Sequence, residues 1–326
     1  MARESPKQGG GYTGFKRYRL ESLRKAYGET LAQLGKERDD IVVLDGDLSK
    51  STKTQIFARE FPERFFDLGI SEQDIMSTAS GLALSGKTVF ASTFAIFATG
   101  RAYNQVRNNI CYMNLNVKIV ATHAGISIGE DGSSHQALED ISLMRNIPNM
   151  RVIAPADSTT TREVIKFVAS SPGPFYVRLL RPDAPVIYEK PQFRFGRAVK
   201  LREGNDVSIF AHGFLLHIAL EASELLEKRK IRARVYDHPT IKPIDENSID
   251  EATSETKGII VAEDHHIFGG LGSSIAEYVV THKPIKMDLI GTENFGQSGS
   301  TDMLYKEYGF TPAHIADRVE RLLDRI

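Results

Sequence analysis

Short apolar runs, each fit to be a buried strand, alternate along this chain with stretches of helical periodicity, and few folds accept that alternation. IVVLD (41–45), TVFAS (88–92), VKIVAT (117–122), RVIAPA (151–156) and FYVRL (175–179) read as strands. Residues 20–37, 72–85 and 98–113 read as helices, the first with Leu20, Leu23, Tyr27, Leu31 and Leu34 on one face. A further helix after residue 156 takes Asp157 or Ser158 as its cap. The stretch 182–198 breaks the pattern with three prolines and little helical period. The alternation then restarts: DVSIFAH (206–212), a helix over 215–229, IRARVYD (231–237), a helix over 245–255 and GIIVAED (258–264). GGLGSS (269–274) opens a helix to about 280, PIKMDLI (284–290) follows, and a last helix begins after Pro312. The expected fold class is α/β, with two doubly wound sheet domains. A parallel one spans 19–182 and a mostly parallel one 199–326, joined by a linker at 183–198 and preceded by a flexible tail at 1–18.

Composition narrows the function classes. The chain has 326 residues and a formal net charge of −1, so no global basic field points to nucleic acid or an anionic membrane. A local group of arginines still leaves room for small phosphates. A single cysteine, Cys111, excludes a disulfide within the chain and suits a cytoplasmic setting. No apolar run is long enough to span a bilayer, and the first residues lack the core of a signal peptide.

Sites in doubly wound sheets lie beyond the carboxyl ends of the strands. Those loops carry GDLSKSTKT (46–54), FFDLGISEQ (65–73), STFAIF (92–97), HAGISIGEDGSSHQ (123–136) and Arg181. One sheet edge is thus expected to gather Ser51, Glu72, Phe94, Phe97, His123, Asp131, His135 and Arg181. Each has a plain reading when taken alone. Glu72 suits a helix N-terminus through the helix dipole. Phe94 and Phe97, three apart, suit a core face. GEDG suits a turn, and Arg24 and Arg181 suit solvent. GGLG (269–272) lacks the Lys-Ser/Thr of a P-loop, so tight helix–strand packing is expected there. Metal binding by His123 and His135 is a poor fit, as is serine nucleophile chemistry, because no Gly-x-Ser-x-Gly elbow is present.

The joint order of these pieces resembles the transketolase family over residues 20–326. LGISEQDIMSTASGLALSGKTVFASTFAIF (68–97) is similar to that family's catalytic-glutamate helix and aromatic pocket, and residues 122–157 are similar to its substrate loop. DHPTIKPID and EDHHIFGGLGSSIAE carry the likeness in the second domain. The resemblance implies thiamine diphosphate as cofactor, with Glu72 at ring nitrogen N1′ of its aminopyrimidine. It puts Phe94 and Phe97 flanking that ring, and Asp47 near the cofactor and subunit contact. Arg24, Ser51, His123 and Arg181 fall on its phosphate-end residues, with Arg181 rather than Arg178 as the choice. Asp131 and His135 fall on residues that meet sugar hydroxyls, His135 close to the reacting carbons. The implied reaction is reversible transfer of a two-carbon glycolaldehyde unit from a ketose phosphate to an aldose phosphate through a thiamine-diphosphate ylid.

A full-length transketolase also has a domain that binds the diphosphate and a divalent metal, marked by a Gly-Asp-Gly run with a later asparagine. This chain has only GDL (46–48) and EDG (130–132). The expected partner is an N-terminal transketolase subunit holding magnesium or calcium, in an α2β2 assembly, with sugar phosphates as substrates. The corresponding half of a deoxyxylulose-phosphate synthase is one alternative, against which His123 and GEDG argue. The β subunit of a 2-oxo-acid dehydrogenase is another, against which Arg24, Ser51 and Arg181 argue. A non-catalytic scaffolding paralogue is the alternative from another class, against which the intact set of site residues argues.

Overall fold

The computed structural model describes residues 18–325; the tail expected at 1–18 lies outside them except for its last residue. Strands, in chain order, are β1 Leu20–Glu21, β2 Ile41–Asp45, β3 Phe65–Asp67, β4 Thr88–Ser92, β5 Val117–Ala121, β6 Arg151–Ile153 and β7 Phe175–Arg178. There follow β8 Ala184–Pro185, β9 Val199–Arg202, β10 Val207–Ala211, β11 Ala233–Asp237, β12 Thr240–Lys242, β13 Ile259–His266 and β14 Met287–Thr292. The first large sheet has the order β12-β6-β7-β5-β4-β2-β3, parallel except for β12, which runs antiparallel to β6. The second has the order β14-β13-β10-β11-β9, parallel except for β9. These are the α/β domains that the alternation predicts.

Strands buried on both faces read as continuous apolar runs, and β2, β4, β5 and β10 are buried at every position. Shorter or half-exposed strands escape that signal: β3 is three residues long with Phe66 exposed, and β9 is nowhere buried. The segment 182–198, read as linker, contributes β8, which pairs with β1 and ties the two ends of the first domain together. β12 comes from the second half of the chain yet joins the first sheet, so that sheet is completed by both halves.

Helix boundaries follow cap chemistry. Ser22 caps Leu23–Glu37 by accepting from Lys25 N–H, so Leu20 falls in a strand rather than in the helix. Asp157, not Ser158, caps Ser158–Ser170, accepting from Thr160 N–H at 2.8 Å. The run 98–113 is helical but wound wide: Phe97–Arg101 and Val106–Cys111 are π-helical around a short α-helical turn, Tyr103–Gln105. Such widened turns recur at functional sites.

The order in which strands are added reverses between β2 and β4. From β2 the chain passes to β3 on one side, and from β4 to β5 on the other. Loops leaving the carboxyl ends of β2 and β4 therefore diverge and leave a crevice between them. Among the described residues no helix is long and apolar enough to cross a membrane.

Candidate active site

Glu72 is the first residue of the helix Glu72–Leu84, reached directly from β3. Its place at the helix N-terminus is electrostatically favourable, but a dipole-balancing residue would face water. Glu72 is 1% exposed, and its Oε2 accepts from Arg101 Nη1 at 2.9 Å. Arg101 stands four residues beyond Phe97 on the π-helical turn and lays its guanidinium 4.6 Å from the centre of the Phe97 ring. A flat, nitrogen-bearing group thus already rests on an aromatic face and meets a buried carboxylate. Arg101 was not singled out in the sequence, where an arginine in a helical run reads as solvated. Its four-residue spacing from Phe97 was the available signal.

Phe94 follows β4 after one residue, Thr93. Its ring lies 6.0 Å from that of Phe97, with 13° between the planes, and 3.9 Å from the His123 imidazole, with 25° between planes. His135 closes the group edge-on, 5.3 Å from Phe97. His123 follows β5 with φ +61°, a conformation uncommon outside glycine that marks sites where the surroundings override local preference. Its Nδ1 lies 2.8 Å from Thr122 Oγ1. Burial, aided by the nearby charges of Arg24 and Arg181, depresses the imidazole to about 2, so it is neutral at physiological pH.

A cationic rim borders the aromatic group. Arg24 sits in the first turn of Leu23–Glu37, which has no acidic residue there. A cation in that place opposes the helix dipole, a local mismatch of the kind that marks function rather than folding. Its guanidinium donates to the carbonyls of Ser51, at 2.8 Å, and Arg181, at 2.7 Å, so it is the Ser51 backbone that Arg24 uses. Burial lowers its affinity for a proton, with Asp183 opposing that shift and Arg181 adding to it. Arg181 is 40% exposed, donates to the Ile128 carbonyl, and lies 3.6 Å from the Asp131 carboxylate. Lys53 joins the rim at φ +74°, its proton affinity lowered by burial and by Arg24. Neither Lys53 nor Asp183 stood out in the sequence.

Arg178 is a different kind of arginine. It is 2% exposed, donating from Nε to Asp140 Oδ2 at 2.8 Å and from Nη2 to the Asp264 carbonyl at 2.7 Å. Tyr176 donates to the same Asp140 oxygen at 2.6 Å. Arg178 is therefore part of the interior, and Arg181 is the arginine that faces the rim. Asp47 is exposed at φ +60°, and its N–H donates to Asp67 Oδ1 at 2.8 Å. The GGLG turn opens the helix Leu271–His282, where Glu263 accepts from Leu271 N–H and Gly272 N–H, each at 2.9 Å. Those donors are taken internally, as tight helix–strand packing predicts.

The structure thus brings Glu72, Phe94, Phe97, His123 and His135 into one group and sets Arg24, Ser51, Asp131 and Arg181 along its border. Among the described residues no group of three or more His, Cys, Asp or Glu side chains is gathered to hold a metal.

Comparison with known proteins gives this arrangement a family. The transketolase pyrimidine-binding domain model matches residues 21–186, and the transketolase C-terminal domain model matches residues 196–315. A putative transketolase C-terminal section from Methanocaldococcus jannaschii is 48% identical over 304 residues, covering 92% of this chain and 95% of that one. A 6-deoxy-6-sulfo-D-fructose transketolase subunit from a Clostridium species is 36% identical over 305 residues, covering 93% and 95%. Human transketolase is 39% identical over 309 residues, which are 93% of this chain but 49% of the human one. Among solved structures, a split gene transketolase described as an inactive β4 tetramer matches with a TM-score of 0.87 at 46% identity, over 93% of this chain and 98% of that one. Campylobacter jejuni transketolase, at 23% identity and a TM-score of 0.82, shares the fold over 48% of its length. The chain belongs to the transketolase family and corresponds to its C-terminal half, spanning nearly all of its subunit-length relatives and about half of the human enzyme.

Proposed function

We propose that this chain is the C-terminal subunit of a two-part transketolase, active only with an N-terminal subunit, and that the cofactor thiamine diphosphate lies between the two. The observation that carries this reading is the Glu72–Arg101–Phe97 arrangement beside the stacked Phe94 and His123 rings. The guanidinium shows that a flat group bearing nitrogen fits against Phe97 and reaches Glu72. The aminopyrimidine of the cofactor is such a group. Arg101 is 49% exposed, which leaves its side chain room to turn outward, and the ring nitrogen would take its place as partner of the buried Glu72 carboxyl group. Bound there, the cofactor supplies a nucleophilic carbon and an electron sink.

The chain's own residues do the rest. Glu72, in its buried position, exchanges a proton with the ring nitrogen N1′. Phe94 and Phe97 hold the ring by its faces and exclude water. Arg24 and Arg181 offer guanidinium donors to a sugar phosphate, aided by Ser51 and by the neutral His123. Asp131 and His135 meet the sugar hydroxyls next to the reacting carbons. Asp47 stands at the rim, where the partner would approach.

We assign the diphosphate and its divalent cation, magnesium or calcium, to the N-terminal partner. Subunit-length relatives named as a C-terminal section and as a transketolase subunit support that division, as does the split-gene structure. An α2β2 assembly, a boundary between domains at 183–198 and a cytoplasmic setting belong to the same proposal. The test is a tagged pull-down from the native cells, assayed for two-carbon transfer from xylulose 5-phosphate to ribose 5-phosphate. Transfer that needs the co-purified partner, thiamine diphosphate and a divalent cation is the expected result. Robust turnover by the pure chain alone, or condensation of pyruvate with glyceraldehyde 3-phosphate instead, would overturn it.

A further inference from the structure

The loop that carries Asp131 and His135 takes its path from the second domain. Ile126 N–H donates to Asp264 Oδ1 at 2.9 Å, and the Glu130 carbonyl accepts from Ser298 Oγ at 2.6 Å. The Ser127 carbonyl accepts from Thr301 Oγ1 at 3.3 Å, and Gln136 Nε2 donates to the Gln297 carbonyl at 2.9 Å. Asp264 is itself anchored by the Tyr305 hydroxyl at 3.0 Å.

Two glycines explain why the loop can lie so close. Gly125 has φ +74°, and a Cβ there would fall 2.2 Å from Asp264 Oδ2. Gly129 has φ +82°, and a Cβ there would fall 3.3 Å from the Gly299 carbonyl. The GISIGEDG run thus reads as a strip shaped to be laid against another domain. Between the polar ties, Ile126 and Ile128 are fully buried.

We propose that the C-terminal domain is the positioning element of the substrate loop. Asp264, Ser298 and Thr301 fix the backbone of residues 126–130, and so set where Asp131 and His135 stand against Phe94, Phe97 and Arg181. None of the three touches the aromatic group, so they act through the loop and are positioning residues. The proposal rests on the reading of Asp131 and His135 as sugar contacts, and it gives the C-terminal domain a direct part in how substrate is held.

The experiment uses the double variant Ser298→Ala/Thr301→Val in the full chain, alone and assembled with its partner, thiamine diphosphate and magnesium. Both changes remove a hydroxyl and keep the surrounding bulk. Loss of two neutral hydrogen bonds should raise KM for the sugar phosphates on the order of tenfold, while the affinity for thiamine diphosphate stays within about twofold. In the chain alone, amide hydrogen exchange over 126–136 should quicken by a similar factor, with the rest of the first domain unchanged. Unchanged exchange in the loop would overturn the proposal. So would an unchanged KM in an active complex, or a rise in KM matched by loss of cofactor affinity. If the wild-type complex transfers no two-carbon unit while the loop still loosens in the variant, the docking stands and the transketolase reading falls.

Discussion

Two sheet edges of the same architecture meet different fates in this chain. In the first domain the crevice between the ends of β2 and β4 opens onto Glu72 and the paired phenylalanines, with Arg101 and Arg181 49% and 40% exposed. In the second domain the order in which strands are added again reverses, between β10 and β13, and polar residues again stand at the strand ends. There His212 meets Glu263 at 3.5 Å, and Glu263 also takes the N-terminus of the helix Leu271–His282. Asp237, His238, Asp264 and His265 are all within 2% of full burial. His266 N–H donates to the Leu138 carbonyl at 2.8 Å and Ala154 N–H to the Pro239 carbonyl at 2.7 Å, so this edge faces the first domain. A polar strand end is therefore not a site in itself. It becomes one where its groups face an open crevice, and it becomes domain cement where the neighbouring domain covers it, even with His212 Nδ1, Asp237 Oδ1 and His238 Nδ1 left without a hydrogen-bond partner.

The largest effect should come from the open edge. Glu72→Gln keeps the shape and an acceptor for Arg101 but removes proton exchange. Activity of the assembled enzyme should fall by roughly 10²- to 10⁴-fold. Because glutamine keeps the buried acceptor for Arg101 Nη1, the melting temperature should move by less than about 4 °C. A large stability loss with activity retained would make Glu72 part of the cement instead.

The buried contact between the domains, where Arg178 of β7 reaches the Asp264 carbonyl, should answer in the opposite way. Arg178→Met strips the cation from Asp140 in the interior and leaves a buried charge whose side-chain hydrogen bond comes from Tyr176, with His265 nearby. Loss of one partner from a buried pair destabilises by about 3–5 kcal/mol, read as a shift in the denaturant midpoint. Arg181→Met, three residues on at the rim, should leave that midpoint nearly unchanged and raise KM for phosphorylated sugars. Equal effects on stability from the two variants would erase the distinction drawn here.

A smaller effect lies in pH dependence, where the two edges slope in opposite directions. Burial raises Asp237 to about 7 from an ordinary 3.8, so the folded chain holds a proton that the unfolded chain releases. That contribution is complete below pH 3.8 and is lost as pH rises through 7. His123, depressed to about 2 from 6.5, contributes fully above pH 6.5 and is lost as pH falls. Between pH 3.8 and 6.5 the two slopes oppose each other, so Asp237→Asn should make stability rise more steeply with pH and His123→Asn should make it rise less steeply or fall, each by up to about 1.4 kcal/mol per pH unit. Asparagine tolerates the φ of +61° at 123 better than most residues. Thermal melts across about pH 4–7 in which both variants keep the wild-type slope would refute this.

The apolar strands were legible in the sequence because burial on both faces leaves an unbroken run, as in β2, β4 and β10. The rest was hidden for identifiable reasons. β12 is a Thr-Ile-Lys segment between Pro239 and Pro243, and its pairing partner lies nearly ninety residues earlier, so only tertiary structure reveals it. The π-helical turns at 97–101 and 106–111 share the apolar spacing of an ordinary helix closely enough to read as one. At the site, motif order marked Glu72, Phe94, His123 and Arg181. Arg101, Lys53 and Asp183 went unmarked because their importance lies in what the fold places beside them. Glu72 shows the converse, since a plain helix-dipole reading was available and burial against Arg101 removes it.

The structure of the assembled enzyme with thiamine diphosphate bound would test the central claim most directly. The account predicts the aminopyrimidine on the Phe97 face now covered by the Arg101 guanidinium, its ring nitrogen within about 2.6–3.2 Å of the Glu72 carboxyl group, and Arg101 turned away. An intact Glu72–Arg101 pair with the ring bound elsewhere would contradict it.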